Sequence, residues 1–122
     1  MTKLIIKGRL DGLNEVINAN RESKYKGNEI KKANERRVII YARQQKLKPI
    51  KNYPVKVIIN CYEKNKRRDW DNVLSGKKFI FDGLQKAGVL AGDGQKYICK
   101  IYEDQFIDKK NPRIEIFILE PK

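Results

Sequence analysis

The stretch that most constrains this chain is residues 66–96, KRRDWDNVLSGKKFIFDGLQKAGVLAGDGQK, which closely follows the alternating run VKVIINCYE at 55–63. The alternation of apolar and polar residues predicts a strand. After a basic cluster and two aspartates, apolar residues recur at helical spacing, at Val73, Ile80, Leu84 and Ala87. A strand followed by an amphipathic helix must bury the two apolar faces together, so we predict an α/β domain.

Three aspartates border the predicted helix. Asp69 and Asp71 stand two residues apart where the helix begins, and Asp93 lies in the turn AGDG that follows it. Mg²⁺ prefers oxygen ligands, and a few carboxylates together with a phosphate oxygen suffice to hold the ion. We therefore predict a metal site that polarises a phosphoryl group. The alternative is that Asp69 or Asp71 only caps the helix, since aspartate is favoured at that position.

A lysine near these acids can serve the same chemistry. At about 100° per residue along a continuous helix, Lys78 falls on the face that carries Asp71, opposite the apolar face. A fixed cation there would stabilise the charge that develops during phosphoryl transfer. We predict that Lys78 has this role.

The sole tryptophan, Trp70, lies between the two aspartates. We expect it to pack the start of the helix onto the core. The alternative is that it stacks on an exposed nucleobase.

The composition indicates what the protein binds. The 122 residues carry a formal net charge of +13 and 40% hydrophobic residues, which suits a single globular domain over residues 1–122. Nucleic acid is the leading partner for such a charge, and an anionic membrane surface is the weaker alternative. Because there is no apolar run of roughly 18 residues and no signal peptide, we expect a cytoplasmic protein. The two cysteines, without any histidine, cannot form an ordinary zinc site, and we expect them to be buried thiols.

The rest of the chain completes a small domain. Strands are predicted at 2–8, 97–107 and 113–119, the last two as a pair joined by the turn DKKNP, and helices at 11–22 and 28–47. The adjacent isoleucines of the first strand suggest an interior position in the sheet. The order β-α-α-β-α-β-β predicts a mixed sheet with helices on at least one face.

Cations are concentrated around the longest predicted helix, with two more beside the aspartates. The predicted DNA-binding set is Lys24, Lys26, Lys31, Lys32, Arg36, Arg67 and Lys77. Each phosphate that such a side chain neutralises adds about 0.9 to the logarithmic salt dependence of duplex binding. The alternative is that the charged helix face is simply solvated.

The motifs RRDWDN and KKFIFDGLQKAGVL, with an aspartate five residues after Gly88, resemble the RusA-type family of Holliday-junction resolvases. The resemblance in element order covers nearly the whole chain. It implies a RusA-like homodimer, of a kind common in prophages, that resolves four-way DNA in recombination and repair with Mg²⁺ or Mn²⁺. It also implies that Asp69, Asp71 and Asp93 are essential metal-binding carboxylates and that Arg68, directly before the first acid, is catalytic.

Two departures from the family pattern concern the site. The family's essential lysine lies four residues after the second acid, where this chain has Ser75. Counting back from the FDGL motif selects Lys78, with Lys77 as the reserve, and implies a three-residue insertion near Ser75. The later turn often carries paired acids in the family, whereas here Gly92 precedes Asp93.

These observations together predict a Mg²⁺-dependent endodeoxyribonuclease that makes paired symmetric phosphodiester cuts in four-way DNA, without a small-molecule cofactor. Two alternatives remain. The chain is a non-catalytic basic module that binds nucleic acid and whose acids cap a helix, or a metal-dependent nuclease for RNA or other branched DNA.

Overall fold

The computed structural model describes all 122 residues. Along the chain it has β1 (Thr2–Lys7), α1 (Leu13–Glu22), α2 (Lys24–Gln44), β2 (Val55–Glu63), α3 (Trp70–Leu74), α4 (Lys77–Lys86), β3 (Ile98–Ile107) and β4 (Arg113–Leu119). The strands form one mixed sheet in the order β1-β4-β2-β3. The predicted α/β class and element order are confirmed, with the third helix divided into α3 and α4. None of the helices is long and apolar enough to cross a membrane.

The strand order differs from the predicted terminal pair. β4 pairs antiparallel with both β1 and β2, and β3 pairs in parallel with β2, so β3 and β4 are not neighbours. The turn at 108–112 carries the chain across the end of β2, where the Asp108 N–H donates to the Glu63 carbonyl at 2.8 Å. β1 lies at an edge of the sheet and not in its interior. Alternation along a strand specifies the buried face but not the neighbouring strand, so the pattern could not decide the order.

The core lies between one face of the sheet and the helices. Alternate residues of β1, β2 and β4 are buried on this face, among them Leu4, Val57 and Ile116. α2 and α4 approach closely, since a Cβ on Gly83 would lie 2.7 Å from the Val38 Cβ. A side chain there would push the helices apart, which explains the glycine of the FDGL motif. This packing holds α4, and the lysines at its start, in a defined position on the sheet.

The longest helix begins at Lys24 and not at Asn28 as predicted. Ser23 caps it, because the Ser23 side chain accepts a hydrogen bond from the Lys26 N–H at 3.0 Å. Gly27, which lies before the predicted start at Asn28, is buried within the helix, and a Cβ there would lie 1.8 Å from the side-chain oxygen of Asn20 in α1. The glycine permits the close approach of two helices and does not break one.

The two thiols have different surroundings. Cys61 is buried on β2, and its removal from water, together with the nearby Glu63 carboxylate, raises the pKa of its thiol to about 12. Cys99 is exposed, so the expectation that both thiols are buried is wrong. The reason is its position on β3, an edge strand on which few residues are covered.

Candidate active site

A buried ion pair supports the connection from β2 to α3. Arg68 donates from Nε to Glu63 Oε1 at 2.8 Å and from Nη2 to Glu63 Oε2 at 3.0 Å. The two side chains are only 11% and 10% exposed. Each charge needs the other in such a setting, so the bidentate pair is held firmly. Arg68 therefore anchors the residues that follow it, and its predicted contact with a phosphate stays a prediction.

Asp69 caps α3. Its Oδ1 accepts a hydrogen bond from the Asn72 N–H at 3.0 Å, as expected for an aspartate at the N-cap. Asp71 follows in the first turn, and both carboxylates are exposed. The cap uses one oxygen of Asp69, so capping and a second role for this carboxylate are compatible.

The helix that carries the motif is interrupted at Ser75 and Gly76. Ser75 Oγ donates to the Asn72 carbonyl at 3.0 Å, which closes the last turn of α3. Gly76 is buried, and a Cβ there would lie 3.3 Å from the Leu10 side chain. The prediction of one continuous helix, which placed Lys78 on the same face as Asp71, is therefore wrong at these two residues. Lys77 and Lys78 are the first two residues of α4, so the start of this second helix sets where their side chains lie.

Lys78 and Lys77 contact different acids. Lys78 Nζ lies 3.3 Å from Asp93 Oδ2 and 3.3 Å from Asp82 Oδ1, whereas Lys77 forms an ion pair with Glu103. Hydrogen bonding to Asp93, and next to Asp82, raises the pKa of Lys78, so this side chain is a stable cation. The structure thus joins the lysine selected from the sequence to one of the three predicted aspartates. The catalytic role of either lysine stays a prediction.

The turn after α4 has room for only one acid. Gly92 is buried, and a Cβ there would lie 2.5 Å from the Tyr97 ring. A carboxylate at position 92 would require the ring to move, which accounts for the glycine. Asp93 is therefore the one acidic side chain that this turn presents.

The three aspartates do not form a metal site within the single chain. No three Asp, Glu, His or Cys side chains are close enough together to hold one ion. Their oxygen donors suit a hard divalent cation, and the cap leaves one oxygen of Asp69 free, but Asp93 is paired with Lys78. The donor chemistry therefore fits such an ion, but the single chain does not bring the three carboxylates together around one. The ligand set Asp69, Asp71 and Asp93 stays a prediction.

Three supporting residues were missed in the sequence, namely Glu63, Asn72 and Asp82. Asn72 Oδ1 accepts a hydrogen bond from the Asn14 N–H at 3.2 Å, and it would lie 2.0 Å from a Cβ on Gly12. Asn72 thereby joins the start of α1 to α3. The motifs RRDWDN and FDGL contain Asn72 and Asp82, but a motif does not show which of its members contact each other.

The predicted DNA-binding cations fall into two groups. Four are exposed and form no ion pair within the chain: Lys24, Lys32, Arg36 and Arg67. The other three each have an acidic neighbour: Glu22 for Lys26, Glu35 for Lys31 and Glu103 for Lys77. The four unpaired cations are the ones whose charge is available to a partner.

Trp70 is 54% exposed, so the expectation that it packs onto the core is wrong. It occupies the first position of α3, and the residue that α3 buries is Val73.

Asp69 and Asp71 follow the carboxyl end of the central strand β2, where α/β domains commonly place ligand sites, and the domain carries a net charge of +13. This combination is typical of an α/β protein that acts on nucleic acid. A family model described as Endodeoxyribonuclease RusA matches residues 14–119. The chain therefore belongs to the RusA family and is an endodeoxyribonuclease, which confirms the resemblance seen in the sequence. Nucleases of this family act on branched DNA and are generally dependent on a divalent metal. No curated protein matches the chain.

Proposed function

We propose that this endodeoxyribonuclease is a Holliday-junction resolvase that makes paired symmetric cuts in four-way DNA during recombination and repair. Two symmetric cuts require two active sites, so the proposal includes a homodimer. It also includes Mg²⁺ as the divalent ion, with Mn²⁺ as a substitute, and a cytoplasmic location, where such DNA is found. Within this family, the observation that carries the proposal is the contact between Lys78 Nζ and Asp93 Oδ2 at 3.3 Å.

DNA binding is assigned to the exposed cations. Beside Glu63, a cleft of about 390 Å³ is lined by Arg9, Lys64, Arg67 and Arg68. Its lining contains no hydrophobic residue, and cations so placed attract phosphates and fix the register of the DNA. This cleft adjoins the segment that leads to Asp69, so a strand bound there would lie beside the proposed site.

At the site, we assign charge stabilisation to Lys78 and metal binding to Asp69, Asp71 and Asp93. A lysine that is already positioned needs little reorganisation when negative charge develops on the scissile phosphate. Lys78 is paired with Asp93 in the single chain. The ligand set must therefore be tested by metal binding itself, and not through activity alone.

The test is a cleavage assay on a synthetic four-way junction with Mg²⁺, comparing the wild type with Asp71→Asn. A matched control is Asp104→Asn, an exposed aspartate of β3 outside the site. We expect Asp71→Asn to bind the junction at least as tightly as the wild type, because negative charge facing phosphate is removed. It should lose cleavage by about 100-fold or more, the scale on which a preorganised electrostatic group acts. The Asp104→Asn variant should cut normally.

Two outcomes would overturn the proposal. A wild type that binds the junction but never cuts it is a non-catalytic module, as the capping role of Asp69 would allow. A wild type that prefers flaps or RNA is a different nuclease. Mn²⁺ titration followed by electron paramagnetic resonance tests the ligand set separately, because loss of any of the three aspartates should weaken binding of the ion.

A further inference from the structure

A groove beside the proposed site has no assigned ligand. It lies between residues 65–70 and the end of β3, has a volume of about 370 Å³, and therefore falls within the roughly 300–1,000 Å³ range of small-ligand sites. Residues 65–70 contribute Asp69 and Trp70, and β3 contributes Gln105, Phe106 and Ile107. The groove is thus continuous with the carboxylate to which we assign metal binding.

The apolar lining of this groove is unusually exposed. Trp70 is 54% exposed, Phe106 42% and Ile107 47%, so none of the three serves the core. Phe106 is nevertheless held in place, because its ring stacks on Tyr62 with the ring centroids 5.1 Å apart and the planes 25° apart. Exposed apolar side chains that line one groove indicate a binding surface. The Phe106 part of the lining is therefore preorganised, and Trp70 contributes an indole to the same groove.

The polar groups at the groove suit a nucleotide. Lys66 is exposed and forms no ion pair within the chain, so its charge is available to a phosphate. The side-chain amide of Gln105 makes no hydrogen bond within the protein and can donate to or accept from a base edge. The net charge of +13 on the chain complements the negatively charged backbone of DNA. The negatively charged partner is favoured.

We propose that the groove receives one unstacked nucleobase of branched DNA, which stacks on Trp70 and places its neighbouring phosphate between Lys66 and Asp69. The inference rests on the proposed action on branched DNA. Bases at a branch point cost the least to unstack, because their stacking is already interrupted. Every base has a face that can stack on an aromatic ring, so the contact recognises an unstacked base without requiring one sequence.

The sole tryptophan provides a direct readout. Titration with a four-way junction in EDTA, which prevents cutting, should quench Trp70 emission as the base stacks. A linear duplex of the same arm sequence should quench it much less at equal occupancy, measured by fluorescence anisotropy of a dye on the DNA. A 2-aminopurine placed at the branch point should also respond, whereas one placed within an arm should not.

The binding contribution is measured with variants. Trp70→Ala should weaken junction binding by about 5- to 150-fold, the range expected for loss of one base stack. Trp70→Phe should recover most of the affinity. The matched control is Tyr102→Ala. Tyr102 is a 47% exposed aromatic residue of β3, the strand that contributes to the groove, but it does not line the groove itself. Circular dichroism checks that each variant is folded.

Three results would overturn the inference. The first is unchanged Trp70 emission on a junction that is demonstrably bound, and the second is wild-type affinity in Trp70→Ala. The third is a Trp70 already shielded from acrylamide in the free protein, together with a dimer that Phe106→Ala dissociates in analytical ultracentrifugation, since the groove would then hold a second copy. The proposed function fails differently: a protein that shows Trp70 quenching but never cuts DNA keeps the groove and loses the nuclease.

Discussion

The Glu63 to Arg68 pair gives a test of whether the site depends on a buried support. Glu63→Gln preserves the shape of the side chain but removes its charge and places an amide N–H against an Arg68 donor. Removing one partner of a buried ion pair costs about 3–5 kcal/mol, because the other charge is left without compensation. Because the two side chains are 11% and 10% exposed, some water reaches them, and we expect a cost near the lower end, about 3 kcal/mol.

The measurement is urea unfolding followed by far-ultraviolet circular dichroism. A loss of about 3 kcal/mol should lower the midpoint by about 1 to 3 M urea. Glu22→Gln is the matched control, because the Glu22 side chain is 60% exposed and its pair with Lys26 contributes about 0–1 kcal/mol. If Glu63→Gln costs no more than the control, the connection from β2 to α3 does not depend on this pair.

A double variant separates support from catalysis. Replacing both partners, as Glu63→Leu with Arg68→Leu, removes the buried charges together and should restore most of the free energy of unfolding. If Arg68 also contacts the scissile phosphate, the stable double variant still fails to cut four-way DNA. Recovery of cutting together with stability would show that Arg68 acts through structure alone.

Four further predictions concern the lysines, the DNA-binding cations, the thiols and the pH dependence of stability. In a single-turnover assay, Lys78→Met should reduce the rate of junction cleavage by about 100-fold or more. Lys77→Met should leave that rate within a few fold of the wild-type value. Equal losses in the two variants would refute the assignment of Lys78. Arg36→Gln should lower the logarithmic salt slope of DNA binding by about 0.9, and an unchanged slope would show that Arg36 faces only solvent. Native protein at pH 8 should react with a thiol reagent at Cys99 and not at Cys61, with both reacting in urea. Because folding raises the pKa of Cys61 from 9.0 to about 12, the stability it contributes should be complete below pH 9 and be lost as pH rises towards 12, which unfolding midpoints across that range would test.

Local sequence patterns were sufficient to predict secondary-structure elements and to recognise the functional motif. The alternation at 55–63 coincides with β2, and 113–119 coincides with β4, because the side-chain period of a strand is read directly from neighbouring residues. The spacing of the RRDWDN and FDGL motifs likewise selected Lys78, which the structure places against Asp93. The residues of a motif are separated by only a few positions, so their spacing can identify a functional residue such as Lys78.

Local sequence patterns could not predict the contacts between segments that lie far apart along the chain. The start of α2 depended on Ser23 as a cap and on Gly27 packing against Asn20, and the interruption of the motif helix depended on Gly76 meeting Leu10. A glycine in the sequence can mark a break or a close approach, and only the neighbouring segment distinguishes these. The exposure of Trp70 likewise depended on what the core left uncovered.

The sequence by itself determined that this chain is a basic α/β domain of the RusA family, with aspartates and a lysine around one strand-to-helix junction. Periodicity, charge and motif spacing depend only on the order of residues along the chain, so the sequence alone specifies them. Only the tertiary structure decided the strand order, the pairing of Arg68 with Glu63 and the contact of Lys78 with Asp93. It also showed that the three aspartates are not gathered around one point in the single chain. These are outcomes of packing between residues far apart along the chain, and a linear pattern does not specify which of the compatible partners meet.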